Sequence, residues 1–178
     1  MEMLKAKFYD FWEDEMKIKD LEGKEREYGE CLSCAINSGK LKPYGGLIFE
    51  SENFTVTQDF SRPINGFIVI SAKRHVVTYD GLTFEERTEL AELLFKTQKA
   101  LKNLGVCEYF NLYVAEYKEG HFHLQILPRY KWMEDERGTI IGNLNHSFNY
   151  AKENLNTKEN INQINKTLEN LKIEMNKF

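Results

Sequence analysis

The chain has 178 residues, 42 % of them hydrophobic and 29 % charged, and a formal net charge of −4. This is the composition of an ordinary globular chain, long enough to bury most of its apolar surface without disulfides. The acidic balance leaves no global basic field to gather nucleic acid. No run approaches the ~18 apolar residues of a membrane-spanning helix, so no membrane partner is expected. The N-terminal MEMLKAKFYDFWEDEM puts acids where a secretion signal needs an unbroken apolar core, and the cytoplasm is the expected compartment.

In chain order, residues 1–30 read as an N-terminal helical extension. Leu4, Phe8 and Trp12 form a narrow apolar stripe among charges, and the polar run Glu22–Glu30 follows. Strand patterning begins after Gly45-Gly46: Leu47–Glu50, a turn at Ser51–Asn53, Phe54–Gln58, then a second turn region and the apolar run Phe67–Ile70. Thr83 with Glu86 makes a capping box, Leu90, Leu93, Leu94, Leu101 and Leu104 recur at helical spacing, and Gly105 closes the helix. Two strands, Tyr109–Glu116 and His121–Leu127, are joined by Tyr117–Gly120, short enough for an antiparallel hairpin. From about Thr157, Ile161, Ile164, Leu168, Leu171 and Met175 predict a helix that packs on its own domain or across a dimer. The order β-β-β-α-β-β with helices at both ends implies an α+β domain on an antiparallel sheet. The expected division is a 1–30 extension, a 31–135 core and a 136–178 C-terminal loop and helix.

The segment richest in chemistry is Gly120-His-Phe-His-Leu-Gln-Ile-Leu-Pro-Arg129. On a strand, His121, His123 and Gln125 face one way while Phe122, Leu124 and Ile126 face the other. Two of the four histidines of the chain fall here, which argues against a strand that merely turns polar groups to water. A neutral imidazole can attack phosphorus and then leave again, and a neighbouring amide can hold phosphoryl oxygens without competing for protons. Cys31-Leu-Ser-Cys34 admits three readings: a redox pair, two small buried thiols, or half of a tetrahedral zinc site. Zinc is favoured, since His75 and His121 are available to complete a closed Cys2His2 set and no βαβ pattern surrounds the cysteines. Cys107 is expected in or near the core, and His146 as a solvated residue in an Asn-rich loop.

His121-Phe-His123-Leu-Gln125-Ile-Leu-Pro-Arg129 resembles the signature of the histidine-triad (HIT) superfamily, H-φ-H-φ-(H/Q)-φ-φ, often followed by Pro-Arg. Asp59-Phe60, then Asn65-Gly-Phe-Ile-Val-Ile-Ser-Ala-Lys73-Arg74-His75, is similar to that family's Asp-hydrophobic…Pro-Gly-His-x-Leu-Val-Ile-Pro-Lys-x-His stretch, and Leu82-Thr83 with Glu85-Glu86 matches its helix start. The similarity runs from about Cys31 to Arg129. It implies a five-stranded antiparallel sheet, usually paired into a homodimer. It also implies an enzyme, a nucleotide hydrolase or a nucleotidyltransferase or phosphorylase, that forms a nucleotidyl-histidine intermediate. Carried over, His123 is the nucleophile, Gln125 contacts the phosphoryl group, Asp59 bonds ribose hydroxyls, and Cys31, Cys34, His75 and His121 hold a structural zinc. Gln125 groups the chain with HxHxQ members, whose donors include dinucleoside polyphosphates and nucleotide sugars. The chain departs from the pattern at Asn65-Gly66-Phe67, Ala72 and Ala115. Its segment before the triad is only Tyr117–Gly120, where many members carry a longer phosphate loop, so the leaving-group contacts stay unassigned. The alternative is a nucleotide- or partner-binding HIT protein with vestigial catalysis.

Overall fold

The computed structural model describes residues 17–134 and 144–178. The expected stripe of Leu4, Phe8 and Trp12 lies outside the described residues. After it the chain forms a two-stranded antiparallel hairpin, β1 (Lys17–Lys19) and β2 (Glu25–Glu27), whose second strand lies in the polar run. Asp20 nucleates its turn: one carboxylate oxygen accepts the N–H groups of Glu22 and Lys24, each at 2.9 Å, and the other accepts Arg26 Nε at 2.8 Å.

A five-stranded sheet follows, in the order β3-β4-β5-β7-β6 and antiparallel at every pairing. Its strands are β3 (Phe49–Glu50), β4 (Phe54–Gln58), β5 (Ile68–Ala72), β6 (Phe110–Tyr113) and β7 (His123–Pro128). The chain is therefore α+β, as the pattern of elements implies. The strands of the second hairpin are shorter than expected, and His121 and Phe122 precede β7 instead of opening it.

One face of this sheet makes the main core. Phe54, Val56, Ile68, Ile70, Leu124 and Ile126 alternate along three strands and are all buried there. Two helices cover them. The 20-residue α2 (Phe84–Asn103) starts at the expected capping box, Thr83 and Glu86 bonding reciprocally, and packs Leu90, Leu93, Ala100 and Leu101 inward. The C-terminal α4 (Lys158–Met175) lays Ile164, Leu168, Leu171 and Met175 into the same core, so its apolar stripe serves its own domain. Gly45 allows that docking. Its φ is +69°, and a Cβ there would come within 2.5 Å of Leu168 Cδ1.

The other face carries the alternate residues. Strand register places Thr55 and Thr57 of β4, Val69 and Ser71 of β5, His123, Gln125 and Leu127 of β7, and Asn111 and Tyr113 of β6 on it. The short α1 (Leu32–Asn37), helped by the β1–β2 hairpin, covers its β4 side through Ala35, Leu41 and Phe60. A further helix, α3 (Leu144–Asn154), covers the far end, where Ala151 and Phe148 pack on Phe67 and Leu127. His146 is thus exposed, as expected, but on a helix and not in a loop.

Candidate active site and metal cluster

Four ligand-type side chains converge where α1 meets the sheet. Cys31 caps α1, its sulfur accepting the N–H of Cys34 at 3.3 Å, which curls the first turn so that both sulfurs face one point. His75 follows β5 and is steadied by its neighbour. The Arg74 guanidinium bonds the buried Glu86 carboxylate twice, at 3.0 and 2.7 Å, and the Gly81 carbonyl at 2.9 Å. His121 sits just ahead of β7. Its Nε2–H donates to the Ala72 carbonyl at 2.7 Å, which fixes the tautomer and leaves the Nδ1 lone pair facing the sulfurs of Cys31 and Cys34 at 3.3 and 3.4 Å. Nδ1 of His75 lies 3.2 Å from Cys34 Sγ.

All four ligand atoms fall within 4.8 Å of one another. Tetrahedral zinc with Zn–S near ~2.3 Å and Zn–N near ~2.05 Å separates neighbouring ligand atoms by ~3.5 Å, so the cluster has the spacing of a closed tetrahedral site. Both thiols are free. Burial, reinforced by Cys31 alongside, pushes the Cys34 thiol up to about 11, so it stays protonated at neutral pH unless a bound cation holds it as the thiolate. Burial also holds His121 below the usual imidazole range, hence neutral, the form in which it binds metal. The second-layer contacts are in place as well. Asn37 donates to the Ala72 carbonyl at 2.7 Å and accepts from Thr55 Oγ1 at 2.8 Å, tying α1 to β4 and β5.

The expected even row of three side chains is therefore divided. His121 turns into the sulfur cluster, while His123 and Gln125 remain on the open sheet face as half-buried residues. His123 Nδ1–H donates to the His121 carbonyl at 2.8 Å, leaving the Nε2 lone pair outward, and the Gln125 amide donates to that Nε2 at 3.1 Å. The apolar underside is as expected, with Phe122, Leu124 and Ile126 all buried. The imidazole is thus held in one tautomer, on a rigid strand, with an amide donor beside its lone pair.

Asp59 lies one step beyond β4 on this face and is buried. Its Oδ1 accepts the N–H groups of Ser61 and Arg62 at 3.1 and 2.8 Å, and its Oδ2 pairs with Arg62 Nη1 at 3.0 Å. Arg62 in turn lies over the Phe148 ring of α3, 4.2 Å from its centroid. Cys107 is half-buried in the turn after α2, its thiol donating to the carbonyls of Tyr109 and Arg129. Two clefts, of about 240 and 300 Å³, open near α4 and share Asn65, Tyr130 and Gln163; none of the expected site residues lines either.

No protein-family model and no curated protein sequence matches the chain. Solved structures do. One is a hypothetical histidine triad nucleotide-binding protein from Sulfolobus tokodaii, with a TM-score of 0.58 at 18 % identity over 83 % of this chain and 93 % of that one. Another is a zinc-bound histidine triad family protein from Mycobacterium smegmatis, with a TM-score of 0.54 at 19 % identity over 78 % and 93 % of the two chains. A HIT family protein from Bacillus anthracis follows, with 0.52 at 23 % identity over 80 % and 97 %. The chain has the histidine-triad fold. The features that accompany it in this chain are the sheet order β3-β4-β5-β7-β6, the helix entered through Thr83 and the placing of His123 on β7.

Sequence reasoning missed α1, α3 and the residues that α3 covers. The Asn-rich composition around residues 145–154 hides α3, because Asn has poor helix propensity. Leu144, Phe148, Ala151 and Leu155 nevertheless recur at 4-3-4 spacing, a signal sufficient to find it. Asn111 and Tyr113 could be found only from the register that sets them beside Leu127 and Gln125.

Proposed function

We propose that this chain is a zinc-stabilised HIT-type enzyme that takes a nucleoside monophosphate from a nucleotide donor onto His123 and passes it to an acceptor. The observation that carries the reading is the bonding of His123: Nδ1–H is engaged by the His121 carbonyl and Nε2 is left with its lone pair beside the Gln125 amide. In the first step Nε2 attacks the donor phosphorus, an N–P bond forms, and the bond to the leaving group breaks, with the electron pair leaving on that group. In the second, water, phosphate or a sugar phosphate attacks the same phosphorus and the N–P electrons return to the imidazole. Gln125 holds a phosphoryl oxygen throughout. Asp59 receives the ribose hydroxyls on the lone pairs not engaged by Ser61 and Arg62.

Zinc held by Cys31, Cys34, His75 and His121 fits the spacing and chemistry of that cluster, and a closed set of four leaves no position for water, so its role is structural. The ion would clamp α1 and the end of β5 to the residue that holds His123 by its carbonyl. The catalytic unit in this reading is 31–135, with 1–30 and 136–178 as additions, in a cytoplasmic homodimer. Among the described residues β6 is an outer strand of the sheet, and Leu112 on it and Val114 just after it, 46 % and 44 % exposed, suit pairing of two copies. Among the described residues no helix is long and apolar enough to cross a membrane.

The test is intact mass after brief mixing with dinucleoside polyphosphates, nucleoside phosphoramidates and nucleotide sugars. An adduct of one nucleoside monophosphate, absent in His123→Ala, is expected. The short Tyr117–Gly120 connection favours a second reading, a binding protein with vestigial catalysis; nucleotide affinity with neither adduct nor product would establish that one instead.

A further inference from the structure

The sheet face that carries His123 and Gln125 continues toward β6, and there polar atoms are buried without partners. Tyr113 stands beside Gln125 in the β6–β7 register and Asn111 beside Leu127, so both share the face of the triad. The Tyr113 hydroxyl and the Asn111 amide nitrogen are shut off from solvent and have no hydrogen-bond partner among the described residues. Tyr113 packs into the cluster of Leu127, Met133 and Ala151, the layer that α3 makes with the sheet. A third orphan, Arg62 Nε, belongs to the same layer, where its guanidinium covers Phe148.

Such groups are rare in native structures and unfavourable, because each has given up water for nothing. All three can donate. Burial keeps the Tyr113 phenol protonated, so it too offers a hydrogen. A ligand that satisfies them must bring oxygen acceptors, and the guanidinium favours those carrying negative charge. Tyr113 is one strand spacing, ~4.8 Å, from Gln125, which itself touches the attacking nitrogen of His123. The Tyr117–Gly120 connection leaves few groups to hold whatever is bonded to the far side of the reacting phosphorus.

Building on the nucleotidyl-histidine reading, we propose that Asn111 and Tyr113 form a specificity subsite for phosphate oxygens of the leaving or accepting group, covered by α3 until a substrate occupies it. The chemistry selected is a phosphate chain. Arg62 is the latch: released from Phe148 when α3 lifts, it adds its charge to the same chain. Donors whose leaving group is a polyphosphate therefore use the subsite, and donors with a small amine leaving group do not.

The test compares a dinucleoside tetraphosphate with a nucleoside phosphoramidate of the same nucleoside, in the wild type, Tyr113→Phe and Asn111→Leu. Each substitution should raise KM for the tetraphosphate about tenfold, the worth of one hydrogen bond, and change phosphoramidate kinetics less than about twofold. Each variant should melt no lower than the wild type, because it removes an unsatisfied buried donor. Inorganic tripolyphosphate should raise the melting temperature of the wild type more than that of Tyr113→Phe. Equal losses on both donors with a lower melting temperature would reduce these residues to packing and overturn the subsite while leaving His123 chemistry intact. Unchanged kinetics on both donors would overturn it too. A wild type inert to both donors removes the catalytic reading, and the subsite with it.

Discussion

The two ends of β7 are built on opposite principles. At its entry, His121 closes a cluster in which each ligand has its supports: Ala72 for His121, the Arg74–Glu86 pair for the His75 segment, and the α1 turn for the cysteines. At its exit, Leu127 lies under α3 beside Asn111, and the donors of Asn111 and Tyr113 have no partner among the described residues. A site for a resident ion is complete in the folded chain, because coordination contributes directly to folding. A site for a transient substrate keeps donors in reserve, since groups already satisfied in the empty state would add little when substrate binds. His123 sits between the two and takes its orientation from the first.

The comparison is broken most severely at that shared residue. His123→Ala should lower turnover by at least about a thousandfold while the melting temperature stays within a few degrees, since the imidazole is only half-buried. Turnover that survives would remove His123 as the nucleophile.

The next largest effect lies at the closed end. Metal analysis should give about one zinc per chain, and Cys31→Ser should cut zinc affinity by at least about a hundredfold and lower the melting temperature. An equally stable protein without zinc would deny the ion its structural role. The third probes the support of that end. Asn37→Leu leaves the Thr55 hydroxyl and one of the Ala72 carbonyl's bonds unmade, and should cost about 1–3 kcal/mol in urea denaturation. Activity per folded molecule should change little, and a loss of turnover without loss of stability would show that α1 acts on the chemistry directly.

The smallest effect is one of pH. The Arg74 guanidinium beside Glu86 holds its carboxyl below the ordinary value of 4.5, against the opposing influence of burial. A depressed carboxyl adds stability that is present above that value and is lost as pH falls through the folded one. Denaturation curves should therefore show wild type and Glu86→Gln drawing closer in stability below about pH 4. A constant gap down to pH 3 would mean that the pair has no part in the acid response.

Much of this was legible in the chain. The capping box at Thr83, the helical spacing of Leu90, Leu93 and Leu101, the strand Phe54–Gln58 and the alternation around His123 depend on neighbours a few residues apart, and local geometry dictates them. The cluster of Cys31, Cys34, His75 and His121 could be assembled from residue types and their number, because few side chains bind zinc. The orientation of the His121 ring could not. The ring turns because the Ala72 carbonyl and two sulfurs, 49 and about 90 positions away in sequence, surround it. Likewise Asn111 and Tyr113 read as ordinary residues of the strand Tyr109–Glu116, and α3 as part of a loop. Only strand register and the packing of Phe148 and Ala151 on Phe67 and Leu127 set them at the covered end of the face that carries His123. The sequence by itself determined which elements form and which atoms can do chemistry, both being short-range properties. Which of those atoms are partnered, and which are kept waiting, is long-range, and only the tertiary structure decided it.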